Sequence, residues 1–210
     1  MKHRLTPLSL LALLSACTQS GISQSGGVYA TRSTCPVAGV PTGTGDITLF
    51  GPGGTTDANA LDVAAAITNV RANCDDTGAN VISVISFDVV AARRTAGPAR
   101  QIVLPYFSTV VRGGSDIVAK RTQAVALNFA AGELRAQTSG QATVSVSRAA
   151  ATLPANVRQI LSRDRKPGDE AAAVDPLSDP AIRQAVAQAT FEHLVGFQLT
   201  DDQLRYNVTR

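Results

Sequence analysis

Tryptophan is absent from this chain of 210 residues, methionine occurs once, and aromatic residues make up only 4%. Binding sites for sugars or nucleobases that rely on exposed aromatic rings therefore have little material to work with. Histidine is almost as scarce. His3 lies in the leader described below, which leaves His193. A histidine-based metal centre lacks ligands on that count, and a Ser-His-Asp arrangement would have to use His193. No Gly-x-Ser-x-Gly elbow accompanies it. The neighbouring Glu192 suggests acid/base work, but adjacent side chains point apart. The sequence places His193 at a helix-to-strand junction, as a surface or turn residue. Charged residues are also few, at 17%. The formal net charge of +3 includes Lys2 and Arg4; without them, 17 Lys and Arg stand against 16 Asp and Glu, near +1. That balance does not predict a basic face for nucleic acid. No cofactor and no nucleic-acid partner are expected.

What is present begins with an address. Lys2, His3 and Arg4 give a basic start, Leu5 to Leu14 is mostly apolar, and Ser15 and Ala16 precede Cys17. These are the marks of a secretory signal peptide over residues 1–16. The apolar run is too short to span a bilayer, which needs about 20 such residues. The tetrapeptide Leu14-Ser15-Ala16-Cys17 resembles the lipobox of bacterial lipoproteins. That resemblance implies diacylglycerol on the Cys17 thiol, cleavage before it, and acylation of the new amino group. The chain would then be held to an envelope membrane by lipid, with its domain in the periplasm. An ordinary signal peptide with a cysteine near its end is the plainer alternative. Acyl chains contribute about 0.8 kcal/mol per buried CH2, so several give a stable anchor. Thr18 stands where an Asp favours inner-membrane retention in enterobacterial lipoproteins, which leans the expectation toward the outer membrane.

Lipid on Cys17 leaves Cys35 and Cys74. In an oxidising compartment two remaining cysteines most simply form one disulfide. A two-cysteine metal site is the rival, and it lacks further ligands.

Residues 18–45 are rich in Ser, Gly, Thr and Gln and read as a flexible tether. The expected organisation is a signal peptide at 1–16, a lipidated Cys and tether at 17–45, and a domain at 46–210. From Asp46 to Ser147 the pattern is strand. Candidates are 47–50, 61–73, 81–92, 101–111, 116–129 and 142–147, separated by Gly and Asp turns. Alanines 64 to 66 also allow helix. Pro105 predicts an edge strand or a bulge, because proline cannot donate to a ladder. The pattern predicts a mainly β fold, an antiparallel β-sandwich like the immunoglobulin and fibronectin III class in strand number and spacing. Between about 150 and 190 it predicts a helical insertion: a helix over 153–163 with Val157, Ile160 and Leu161 on one side, a charged loop over 162–180, and a helix opened by Asp179-Pro180. Phe191 to Leu199 returns to strand. Thr200 and Gln203 fit a capping box that opens a short C-terminal helix.

Residues 195–207, Val-Gly-Phe-Gln-Leu-Thr-Asp-Asp-Gln-Leu-Arg-Tyr-Asn, resemble the closing motif of a group of uncharacterised alphaproteobacterial envelope lipoproteins. The likeness includes the lipobox, Cys35-Pro36, the strand Asn69 to Cys74, Leu104 to Phe107, and Val118-Ala119-Lys120. It implies location and fold, since no activity is assigned to the group. The stretch from about 150 to 190 departs from the pattern, where relatives run through a short link.

Other candidates have plainer explanations. Asp75-Asp76 and Asp201-Asp202 could bind calcium but lack EF-hand spacing, and turn and helix-start roles suit them. Arg93-Arg94 could touch phosphates or an acidic partner, and reads more simply as a solvated strand end. Gly113-Gly114 reads as a turn, without the Lys-Ser/Thr of a phosphate loop. Asn207-Val208-Thr209 matches a glycosylation sequon by chance. The functional expectation is a non-catalytic, lipid-anchored accessory or adaptor subunit for another envelope protein. A ligand-binding or hydrolytic protein with a pocket near His193 is the rival, and a structural role in envelope integrity is a third.

Overall fold

Alternating apolar residues produce two sheets, because every second side chain of a strand faces the same way. The computed structural model describes residues 33–53, 56–163, 168 and 174–209. The signal peptide, Cys17, most of the expected tether and much of the charged loop lie outside the described residues.

Eight strands are β1 (Val37–Gly39), β2 (Asp46–Phe50), β3 (Leu61–Asp75), β4 (Asn80–Arg93), β5 (Arg100–Arg112), β6 (Asp116–Phe129), β7 (Arg135–Ser147) and β8 (Phe191–Phe197). Four helices are α1 (Arg148–Ala151), α2 (Ala155–Leu161), α3 (Pro180–Gln188) and α4 (Asp201–Thr209). One sheet runs β1-β8-β5-β6 and the other β2-β3-β4-β7. Their pairings are antiparallel except for β1 with β8, which are parallel. The sheets curl around a shared core built from Ile85, Phe87 and Val89 on one side and Leu104, Leu127 and Phe129 on the other. The fold is therefore mainly β and sandwich-like, with short helices.

Alanines 64 to 66 are strand, flanked by β2 on one side and β4 on the other. A bulge interrupts β3 between Thr68 and Arg71, and Asn69 takes a left-handed conformation there at φ 52°. Asparagine adopts that region more readily than most residues. Pro105 departs from the sequence reading, because β5 lies inside its sheet between β8 and β6. Pairing with β8 stops at Tyr106–Phe197, and the Pro105 carbonyl accepts from the Gln198 N–H at 2.9 Å. The nitrogen of an antiparallel residue faces the same side as its carbonyl, so the missing donor falls where the neighbouring strand has ended.

The tether reading also needs correction at its C-terminal end. Val37 to Gly39 form β1, and the following loop is fastened to the body. Thr44 O accepts from Phe197 N at 2.7 Å, and Gly45 O from Ile67 N at 2.8 Å. Small residues look like linker in composition, but here they permit close approach. Gly43 has φ 79°, and a Cβ there would sit 3.0 Å from Val208. The Asn207 amide donates to Gly43 O at 2.8 Å and Asp46 O at 2.7 Å, pinning α4 to β2. Asn207→Ala should cost about 1–2 kcal/mol, read as a lower urea midpoint with an unchanged slope.

The capping box is formed. Thr200 N donates to Gln203 Oε1 at 2.9 Å, and Gln203 N to Thr200 Oγ at 3.3 Å. Asp179 likewise accepts from Ala181 N at 2.8 Å ahead of Pro180, opening α3 as read from the sequence. The expected helix over 153–163 is shorter, and α1 precedes it. Val157 is buried, but Ile160 is 37% exposed. Leu153, Val157, Ile182 and Ala189 form a small core of their own, beside the β5–β6 turn. There Gly113 N donates to Thr190 O at 3.0 Å.

Candidate functional site

Registers give the molecule two unlike ends. At one, which we call the entry end, the described chain begins ahead of β1, β5 turns into β6, and α1 leaves β7. Cys35 and Cys74 are joined there, with S–S 1.99 Å and Cα–Cα 6.1 Å. The bond runs from just before β1 to the end of β3, so it ties one sheet to the other. A loop closed over a separation of 39 residues contributes about 3–4 kcal/mol in the chain-entropy estimate.

Just inside that end lies a polar layer. His193 is 0% exposed, in β8, not at a surface or turn as the sequence suggested. Its Nδ1 is 3.0 Å from Ser83 Oγ on β4, and its Nε2 is 3.0 Å from Ser108 Oγ on β5. Ser83 belongs to one sheet, and Ser108 and His193 to the other. On each strand the polar residue sits between apolar inward neighbours: Val81 and Ile85, Tyr106 and Val110, Phe191 and Val195. The layer thus separates the main core from a smaller cluster of Val81, Val110, Val146, Ala151 and Phe191, against which the disulfide packs. A neutral imidazole suits it, since one serine donates to the bare nitrogen and the other accepts from the N–H. Burial pushes the His193 pKa down to about 4.

The opposite, far end gathers the β2–β3, β4–β5 and β6–β7 loops. An open groove there is lined by Pro52, Asn59, Asp62, Arg94, Thr95 and Arg100, among others. Arg100 donates to both carboxylate oxygens of Asp62, at 2.8 and 2.7 Å, and so joins β5 of one sheet to β3 of the other. Hydrogen bonding from Arg100 lowers the Asp62 pKa, and its charge acts in the same direction. Arg94 donates to Ala58 O and reaches Asn59 Oδ1 at 3.4 Å, both uncharged acceptors.

Arg93, the residue before Arg94 at the end of β4, is 7% exposed rather than solvated. Its guanidinium donates to Glu133 O at 2.6 Å, Pro98 O at 2.9 Å, Gly97 O at 3.0 Å and Ala130 O at 3.1 Å. It also lies 5.3 Å from the centroid of the Phe129 ring. One side chain therefore shapes both the β4–β5 and the β6–β7 loops.

The other candidates are accounted for locally. Asp75 accepts from Thr77 N at 2.9 Å, and the Thr77 bonds lower its pKa. Asp76 accepts from Thr34 Oγ at 2.8 Å, and Asp202 from Arg205 at 3.0 Å. Among the described residues no group of three or more His, Cys, Asp or Glu is placed to hold a metal ion. Gly113 and Gly114 form a turn at φ 62° and 83°. The described groove is not beside His193. Ser83, Ser108, Asp62 and Arg100 were not singled out in the sequence. A signal existed for the serines, which interrupt an apolar alternation on its inward phase.

No family model, curated protein or solved structure matches the chain. Among the described residues no helix is long and apolar enough to cross a membrane.

Proposed function

We propose that this protein is an envelope lipoprotein, anchored by lipid on Cys17 at the outer membrane, whose periplasmic domain is a non-catalytic adaptor for another envelope protein. The lipobox supports the anchor. The observation that carries the adaptor reading is the polarity of the domain: the chain enters at one end, and the open groove with Arg94 lies at the other. Ser33 lies 16 residues after Cys17, a reach of at most roughly 55 Å when extended. A domain so held presents its far end to partners, with the entry end toward the lipid. Immunoglobulin- and fibronectin III-like sandwiches serve as recognition modules of this kind. The analogy is one of two face-packed sheets, since the strand order here is its own.

The test is crosslinking in intact cells, with a photoreactive residue at Asn59 or Thr95 and, as control, at Ser115 beside the entry end. The expected result is one specific envelope partner from the far-end positions, lost on Arg94→Glu. Recovery of the protein alone from every position would sink the adaptor reading. A Cys17→Ser chain that still fractionates with membranes would sink the lipid anchor.

A further inference from the structure

We propose that the Ser83–His193–Ser108 bridge is an acid-sensitive latch holding the two sheets together at the entry end. The geometry supplies the latch, because His193 joins Ser83 of one sheet to Ser108 of the other, at 3.0 Å on each ring nitrogen. It works with a neutral ring. Protonation turns both ring nitrogens into donors, so the serine that donated must turn round. It also places a full positive charge in a layer between two apolar clusters, where an unpaired ion is strongly disfavoured.

Among the described residues no counter-charge stands in the layer. The inward neighbours are Val81 and Ile85 on β4, Tyr106 and Val110 on β5, and Phe191 and Val195 on β8. Tyr106 is the one titratable group among them. Its hydroxyl is already committed to Gln123 and to Gln141 O, and burial raises its pKa. The charged residues of the surrounding strands (Asp62, Arg71 and Asp75 on β3, Asp88 and Arg93 on β4, Arg100 and Arg112 on β5, Arg135 on β7, Glu192 on β8) sit at strand ends or on outward phases. Arg148 of α1 reaches out to the Asp76 carbonyl.

The sign follows from burial. The folded pKa lies below the ordinary 6.5, at about 4, so below pH 6.5 the unfolded chain takes up a proton that the folded chain refuses. The latch contributes fully above pH 6.5 and loses its contribution as pH falls toward 4. Asp62, Asp75 and Asp88 have pKa values lowered from 3.8, so their contributions fade at the acid edge of this window and below it. The part released first is the entry-end cluster, which holds the Cys35–Cys74 bond.

The test compares the purified full chain with His193→Gln, a neutral side chain that still donates and accepts. Urea unfolding of the wild type should show the folding equilibrium constant falling on the order of 50-fold between pH 7 and 4.5. The variant should stay nearly flat. In the same window and without urea, reduction of the disulfide by a water-soluble phosphine should accelerate in the wild type relative to the variant. Wild-type imidazole NMR should show His193 neutral down to about pH 4, a readout that holds even if the variant fails to fold. Parallel curves for the two proteins, or a native His193 titrating near 6.5, would overturn the latch.

Discussion

Arg93→Met should lower the unfolding free energy by about 3 kcal/mol, measured as a shift in the urea midpoint at pH 7. Methionine keeps much of the apolar stem but offers no donor. Four carbonyls, from Gly97, Pro98, Ala130 and Glu133, then lose a charge-assisted partner at once. Two of those bonds hold the β4–β5 loop and two the β6–β7 loop, so both should exchange amide hydrogens faster. Arg93→Lys keeps the charge yet should recover less than half of the loss. A lysine ammonium presents three donors from one point, whereas these carbonyls surround a planar fork. A midpoint within experimental error of the wild type for Arg93→Met would show that water replaces the guanidinium without cost.

Gly140→Ala should be nearly as damaging, at about 2–3 kcal/mol. Gly140 lies opposite Phe87 in the β4–β7 ladder, and the ring rests directly on it. An added Cβ would stand 2.6 Å from Phe87 Cε2, so the ring must leave its place in the core. Phe87 is 2% exposed and packs edge-on against Tyr106 at 5.1 Å, which leaves it little room to move. The check is a double-mutant cycle with Phe87→Leu. Leucine vacates the space over residue 140, so the alanine should cost much less in that background. Additive costs would mean that the clash is absorbed by the backbone. Phe107 and Gly196 repeat the device on the other sheet, where a Cβ would lie 2.9 Å from Phe107 Cζ.

Much of this fold was legible because its long strands alternate cleanly. Val81, Ile85, Phe87 and Val89 name the inward face of β4, and Val125, Leu127 and Phe129 that of β6. Alternation says which residues face inward, but not which strand lies beside which. The order β1-β8-β5-β6 was therefore not readable, nor the parallel pairing of β1, a three-residue strand with too few positions to show a period. The misplaced residues share one cause. Arg93 follows Val89 and Ala91 on the inward phase, and His193 stands between Phe191 and Val195 in the same way. Polarity suggested solvent for both, while the period put them inside. When the two disagree, a strand can follow its period provided every donor finds an acceptor, and here four carbonyls and two serines supply them.

The position of the Cys35–Cys74 bond has a mechanical consequence. It lies upstream of β1, whose three residues pair with β8 at the edge of a sheet. A pull on the chain before Cys35 would otherwise shear that short ladder first. With the bond in place, force passes covalently into Cys74 at the end of β3, a 15-residue strand paired with β4 from Val63 to Asp75 and with β2 from Leu61 to Ala66. The β1 ladder stays unloaded, much as a cable clamp spares the connector behind it.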